Sequence, residues 1–213
     1  MTSKTLKPRA LYEEVAERLR SSIFSHEIPP GSWVDEQTLA ESYGISRTPM
    51  REAIKVLASE GLITMKMRRG AYVTEISKTD LDQIFPVIAL LEGQACRQVA
   101  LNATEQELGL LDDLHSKLEK AGADRDIDRF FELNQQFHEK IQEIAGNPWM
   151  KNVIDDLRKV LKLQRRDSLM KRGRLEQSLL EHRNILSALL ARNADLSESL
   201  MKQHLKQGQE AAS

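Results

Sequence analysis

Apolar residues recur at helical spacing through most of this chain, and only one short stretch departs from that rhythm. From Leu11 to Phe24 the positions Leu11, Val15, Leu19, Ile23 and Phe24 share one face, and Pro29-Pro30-Gly31 ends the segment in a turn. Asp35 can cap a short helix carrying Leu39, Ala40 and Tyr43, and a longer one over Arg47–Glu60 places Ile54, Leu57 and Ala58 on its buried side. Gly61 stops it. Two extended pieces, Leu62–Met65 and Ala71–Thr74, then flank Lys66-Met67-Arg68-Arg69-Gly70, which makes a hairpin with a basic tip. Helices followed by a basic hairpin describe a winged helix-turn-helix over residues 1–76.

After Ser77 the strand signals vanish. Six helices are predicted, Thr79–Leu101, Thr104–Ala121, Ile127–Ala145, Pro148–Leu169, Leu175–Ala191 and Asp195–Gly208, with the firmest breaks at Gly122, Gly146-Asn147-Pro148 and Gly173. Helices of that length joined by short loops imply an antiparallel six-helix bundle with its own core over residues 77–213. The fold class is mainly α, and neither an internal repeat nor a low-complexity segment is visible.

The densest signal lies between the second and third helices. Gly44 can take the left-handed conformation that ends one helix, and Ser46 can accept a hydrogen bond from a free N–H of the next. Pro49 sits in the first turn, where its missing N–H costs nothing, and Arg47 and Arg51 share a face at i and i+4. Arginines at the start of a second helix meet phosphates or guanine edges. A solvated charged face is the alternative reading of the pair.

Composition narrows the classes. The chain has 213 residues, 40% hydrophobic and 30% charged, with a formal net charge of -1, which suits one or two soluble domains. Between Gly44 and Gly70, however, Arg47, Arg51, Lys55, Lys66, Arg68 and Arg69 outnumber Glu52 and Glu60, so a basic patch stands out from a near-neutral whole. The single cysteine, Cys96, excludes an internal disulfide and falls in an apolar helical pattern, as a small core residue would. No apolar run approaches the roughly 18 residues that span a bilayer, and Met1-Thr2-Ser3-Lys4 lacks a signal core, so a cytoplasmic protein with no membrane partner is expected.

Of five histidines, His138, His182 and His204 fall on three different helices of the bundle, and Asn134 precedes His138 by one turn. Three imidazoles and an amide oxygen suit a divalent cation, zinc or nickel before magnesium or calcium, with positions left open for a ligand. Ordinary bundle histidines are the alternative. For His26 and His115, surface or capping roles suffice. His138-Glu139-Lys140-Ile141-Gln142 misses the zinc-protease pattern, since Gln142 stands where the second histidine belongs. Glu139 and Glu181 adjoin candidate ligands, but a helical neighbour points about 100° away and does not serve the same point as a base. Trp33 and Trp149 follow turn residues in apolar surroundings that suggest packing. Phosphate-binding glycine loops, nucleophile elbows and paired zinc cysteines are missing from the sequence, which argues against an enzyme.

These residues resemble the GntR family of bacterial transcription regulators, in the subgroup with an all-helical FCD effector domain. The likeness rests on Pro30-Gly31, Asp35-Glu36 with Leu39-Ala40, the run Gly44 to Ala53, Glu60-Gly61-Leu62 and Arg69-Gly70-Ala71. In the second half it rests on Leu91-Glu92-Gly93, Asn134 with Phe137-His138, Gly146-Asn147-Pro148, Glu181-His182-Arg183 and His204-Leu205. The resemblance implies a recognition helix in the major groove, with Arg47, Thr48 and Arg51 on base edges and phosphates and Pro49 in its first turn. It implies a hairpin tip at Arg68, Arg69 and Gly70 in the minor groove. Gln37 stands where some relatives have a further DNA-contacting arginine.

The family's metal ligands map onto Asn134, His138, His182 and His204, with asparagine for the commoner aspartate, a swap that weakens affinity by one charge. Ile88 replaces an arginine that in many relatives helps hold a carboxylate ligand, which leaves Arg174 as the basic residue expected near the effector. The whole reads as a homodimeric, ligand-responsive regulator, a repressor by preference. It would bind an inverted-repeat operator in double-stranded DNA and take a small organic or sugar acid as effector. A metal-free DNA-binding protein and a metal-dependent enzyme are the rivals.

Overall fold

The structure is a computed structural model that describes residues 11–169 and 173–212. The reading of Met1 to Lys4 lies outside the described residues. The chain divides into two compact units, one ending at Ile76 and one beginning at Ser77.

The first unit opens with α1 (Leu11–Phe24), followed by β1 (Trp33–Val34), α2 (Glu36–Ser42), α3 (Arg47–Ser59), β2 (Ile63–Lys66) and β3 (Gly70–Val73). Val15, Leu19 and Ile23 of α1 bury themselves with Met50, Ala53, Ile54 and Leu57 of α3, so two amphipathic faces close on each other. Burying side chains such as Leu19 and Leu57 stabilises the unit by about 1.5–3 kcal/mol each. Arg20 clamps the far end of α3, with its Nε and Nη2 at 3.0 and 2.8 Å from the Glu60 carboxylate.

Local capping explains the turn. Asp35 accepts from the backbone of Gln37 and Thr38, Gly44 has φ +65°, and Ser46 occupies the N-cap of α3. Ser46 makes no side-chain cap bond, so its expected role reduces to extended backbone at the entry. The sheet has order β1-β3-β2, antiparallel throughout, with Lys66 opposite Gly70 and Trp33 opposite Tyr72. At two residues, β1 is too short to show any alternation in sequence. Trp33 is 59% exposed and Trp149 81%, which overturns the packing role expected of both. Trp33 instead stands against the wing: a Cβ on Gly70, whose φ is +94°, would meet its Nε1 at 3.0 Å.

The second unit is all helical among its described residues: α4 (Lys78–Asn102), α5 (Glu105–Ala123), α6 (Ile127–Ile144), α7 (Pro148–Leu169), α8 (Arg174–Leu190) and α9 (Ala194–Ala212). Capping boxes at Ser77/Asp80 and Thr104/Glu107 start α4 and α5. The α4–α9 packing is the most extensive in the bundle and antiparallel, with Asp82 bonded to Gln209 and Arg97 to Asp195. Gly93 permits that closeness, since a Cβ there would lie 2.9 Å from Lys202 Cε and 3.2 Å from the Glu198 carbonyl. The break expected at Gly122 falls one residue later, after Ala123. Gly122 itself is in the last turn of α5, where a Cβ would meet Leu179 Cδ1 of α8 at 2.6 Å, so it is also a point of helix approach.

By length and composition α4 could cross a membrane, yet Leu81, Phe85, Ile88, Ala95 and Val99 bury themselves within the bundle. It is a core helix. Cys96 lies fully buried among them, and burial pushes its thiol well above the usual range.

Candidate functional site

Two groups of polar side chains stand out, one in each unit. In the first, Arg47 and Arg51 project from the N-terminal half of α3, exposed, with Thr48 beside them and half-buried Pro49 in the first turn. Both arginines turn to Glu36 on α2. Arg51 donates from Nη2 at 2.8 Å and Nε at 3.2 Å, and Arg47 from Nε at 3.3 Å. The bond from Arg51 holds the Glu36 carboxyl below its ordinary value. A carboxylate thus engages the guanidinium groups that a phosphate or a base edge could take. Gln37 bonds Glu41 on its own helix.

Arg68 and Arg69 lie in the exposed turn between β2 and β3, which Gly70 closes as the first residue of β3, and Arg68 is held at φ +60°, a conformation that costs about 1 kcal/mol for a residue with a side chain. Lys66 lies over the Tyr72 ring, 4.4 Å from its centroid.

The second group lies inside the bundle. His138 of α6, His182 of α8 and His204 of α9 are buried, and one ring nitrogen from each lies within 4.8 Å of the others. The rings pack edge-on and stacked at centroid distances of 4.6 to 5.2 Å, and Phe137 stacks on His182 at 4.9 Å. Carboxylates orient two of them. His138 Nδ1 lies 2.7 Å from Glu92 of α4, and His204 Nδ1 lies 2.6 Å from Glu181 of α8. A carboxylate only accepts, so each Nδ1 carries a hydrogen, and in the neutral ring Nε2 keeps its lone pair.

Arginines hold the carboxylates in turn. Arg158 of α7 donates to Glu92 at 2.5 and 2.6 Å, and Arg174 donates to Glu181 at 2.8 and 3.0 Å. Burial pushes the Glu181 carboxyl up, but the bonds from His204 and Arg174 outweigh it and leave it below its ordinary 4.5.

The donor set suits a cation. His182 Nε2 and His204 Nε2 are 3.3 Å apart, the edge of a tetrahedron whose metal–nitrogen bonds measure about 2.05 Å. Histidine ligands that give their second nitrogen to a carboxylate are the usual outer shell of such a centre. Asn134 is buried one turn before His138, on the same face of α6.

Sequence reasoning placed the three histidines but missed how they are held. Glu181 does not serve its neighbour His182; it reaches across to His204, and Arg174, expected beside an effector, is bound to it. Glu139 stays outside the cluster, lining a surface groove with Lys151, Asp155 and the edge of Arg158. Arg158 was missed, although the buried Ile154 and Leu161 put it on the inward stripe of α7. His115, expected at the surface or at a cap, is buried against Phe137, and its burial pushes the imidazole pKa down.

Comparison with known proteins completes the description. Residues 11–73 match the bacterial regulatory proteins of the gntR family, and residues 83–207 match the FCD domain. The chain is 31% identical to the HTH-type transcriptional regulator YdhC of Bacillus subtilis over 93% of its own length and 88% of that protein. It is 30% identical to the HTH-type transcriptional repressor RspR of Escherichia coli, over 92% and 86%. The solved structure of E. coli McbR/YncC superposes with a TM-score of 0.77 at 24% identity, covering 94% of this chain and 95% of that one, a likeness of fold. With a winged helix whose arginines are exposed, followed along the chain by a helical FCD domain, the chain belongs to the GntR family of DNA-binding transcriptional regulators and not to a family of enzymes.

Proposed function

We propose that the protein is a cytoplasmic, homodimeric repressor that releases an inverted-repeat operator when a small organic or sugar acid occupies a metal-assisted site in its FCD domain. The observation that carries this reading is the buried three-histidine cluster, with two of its rings oriented by carboxylates from α4 and α8. His138, His182 and His204, with the Asn134 amide oxygen, would hold a zinc or nickel ion. A cation held there supplies a Lewis-acidic point for a carboxylate oxygen.

The protein's own residues do the rest. Glu92 and Glu181 fix the rings, and Arg158 and Arg174 hold those carboxylates in place. The cluster draws on five of the six helices of the bundle, so a ligand that prefers one packing of those helices shifts the balance between two arrangements. The coupling such a shift needs is about 1–3 kcal/mol. At the other end, Arg47, Thr48 and Arg51 would enter the major groove, with Pro49 shaping the first turn, and Arg68, Arg69 and Gly70 would approach the minor groove. Operator phosphates and bases would take the place of Glu36. Support for a dimer comes from α4, which leaves Val87 and Leu90 exposed beside Pro86 and Ala89. The repressor sign follows the relative RspR.

Thermal melting of the purified full chain, zinc-loaded or chelator-treated, tests the reading against a panel of small acids. A rise in Tm with an acid in the zinc-loaded sample, absent after chelation and in His138→Ala, is the expected result. Indifference to chelation and to every acid overturns it in favour of a metal-free DNA-binding protein.

A further inference from the structure

Two polar groups near the cluster have no hydrogen-bond partner among the described residues. One is the Gln142 side chain, 1% exposed, in which both the amide nitrogen and the amide oxygen are unsatisfied. It follows His138 by one turn, so Asn134, His138 and Gln142 line one stripe of α6. The other is Nη1 of Arg158, 5% exposed; its Nε and Nη2 are engaged by Glu92, which in turn holds His138. Buried amides and guanidinium nitrogens are almost always paired, and leaving one unpaired is costly. Two such groups, reached from His138 by one helical turn and by one carboxylate, mark a place built for a third party.

The chemistry of the two donors defines that party. Arg158 Nη1 can only donate, and it carries positive charge, so it answers an anionic oxygen. Gln142 offers a donor and an acceptor together. Its N–H can be met by a carboxylate, but its carbonyl needs an O–H or N–H, and a carboxylate at neutral pH has none to give. A plain acid therefore leaves the Gln142 carbonyl unsatisfied, whereas an acid with a hydroxyl or amino group satisfies it.

We propose that Gln142 and Arg158 Nη1 are the ligand-reading groups of the FCD site, and that they select a small acid bearing a hydroxyl or amino donor over the same acid without one. This rests on the acid-responsive reading above and narrows its ligand class.

The test is calorimetric titration and thermal shift of the zinc-loaded full chain with succinate, malate and aspartate, and with propionate, lactate and alanine. Wild type and Gln142→Leu, close in volume, are compared, and Arg158→Lys keeps the charge facing Glu92 while removing the spare donor. Malate or lactate should bind at least about tenfold more tightly than succinate or propionate. A corresponding preference for aspartate or alanine assigns the donor as an amine instead. In Gln142→Leu the preference should collapse, while the Tm of the ligand-free protein stays level or rises, since an unsatisfied buried amide has been removed. Arg158→Lys should weaken all the acids together.

Equal affinity for both members of each pair overturns the inference and leaves the acid-responsive reading standing, as does a preference that survives Gln142→Leu. A fall of several degrees in the Tm of ligand-free Gln142→Leu also overturns it, by showing that the amide serves the fold. If no acid in the panel binds, the inference and the reading beneath it fail together.

Discussion

Replacing Glu181 with glutamine should weaken zinc binding by about tenfold. In the native arrangement His204 Nδ1–H donates to a carboxylate at 2.6 Å, and a hydrogen bond to a charged group contributes about 1.5–3 kcal/mol where a neutral one contributes about 0.5–1.5. Glutamine keeps the shape and an acceptor oxygen, so His204 stays oriented and loses only the charge behind its ring. The difference is about 1–2 kcal/mol, or roughly 5- to 30-fold in affinity, in line with the about 10- to 100-fold effect of removing an outer-shell partner. Competition with a chromogenic chelator measures it on the purified full chain. Glu139→Gln is the control, because Glu139 also adjoins a candidate ligand in sequence but lines the surface groove. Unchanged zinc affinity in Glu181→Gln, or an equal loss in Glu139→Gln, would refute the assignment of Glu181 as the group behind His204.

The same substitution carries a pH signature. The Glu181 carboxyl lies below its ordinary 4.5 in the folded protein, so the folded state favours its ionised form. Its contribution to stability is full above about pH 4.5 and is lost as pH falls through the lower folded value. Glu181→Gln should therefore be less stable than wild type at neutral pH, where Arg174 loses its counter-charge, and the gap should narrow below pH 4.5. Urea unfolding in chelator at pH 7 and in the acid range separates this effect from metal binding.

Other substitutions probe different parts of the chain. Arg51→Ala should weaken binding to a preferred operator by about 10- to 100-fold if Arg51 reads a base, whereas Arg69→Ala should weaken all sequences alike and reduce the salt slope by about 0.9. Fluorescence anisotropy across a salt series distinguishes the two. His115 has an imidazole pushed down by burial, so the unfolded chain takes up its proton more readily and stability falls as pH drops below the ordinary 6.5. His115→Phe should remove part of that loss between pH 7.5 and 5.5, as seen by chemical denaturation. At Gly122, alanine gains about 1 kcal/mol of helix propensity against a clash that the end of Leu179 can relieve, so a near-neutral Tm is expected. Valine there should cost about 1–3 kcal/mol by overpacking against α8.

Periodicity located the long elements because each has one continuous buried stripe, and α6 and α8 begin and end within one residue of their patterns. It failed where the stripe is too short or the reason is not local. Two residues of β1 cannot alternate, and Trp33 owes its position to a glycine far along the chain. Gly122 marked the end of α5 to within a residue, but its second role, letting α8 approach, has no local signature because a helix-ending and a close-packing glycine have the same letter. The histidines were legible as a set, but not their partners, since Glu92 lies 46 residues from His138 and 66 from Arg158. A signal for those partners did exist. Asn134, His138 and Gln142 fall in phase with Phe130, Phe137 and Ile141, and Arg158 falls in phase with Ile154 and Leu161. A polar residue on the core-facing phase of a helix is the sequence mark of a buried network. Arg174 and Glu181, two turns apart on one face of α8, could have been paired by the same means.

That network also bears on why the residues are there. Placing three imidazoles, two carboxylates and two guanidinium groups in the interior of a small helical bundle is not a route to stability. Each buried ion pair loses hydration that its partner only partly restores, and well-packed apolar side chains of similar volume are often as stable or more so. The apolar parts of the same helices show that a dry core was available, since Phe85, Phe130 and Leu118 are fully buried nearby in the same unit. The polar groups converge from five helices onto one point, and the Nδ1 atoms of His138 and His204 meet carboxylates that arginines hold. A network scattered for structural reasons has no cause to share a centre. Convergence is what a ligand site requires, and a ligand bound at a point shared by five helices would act on their packing directly.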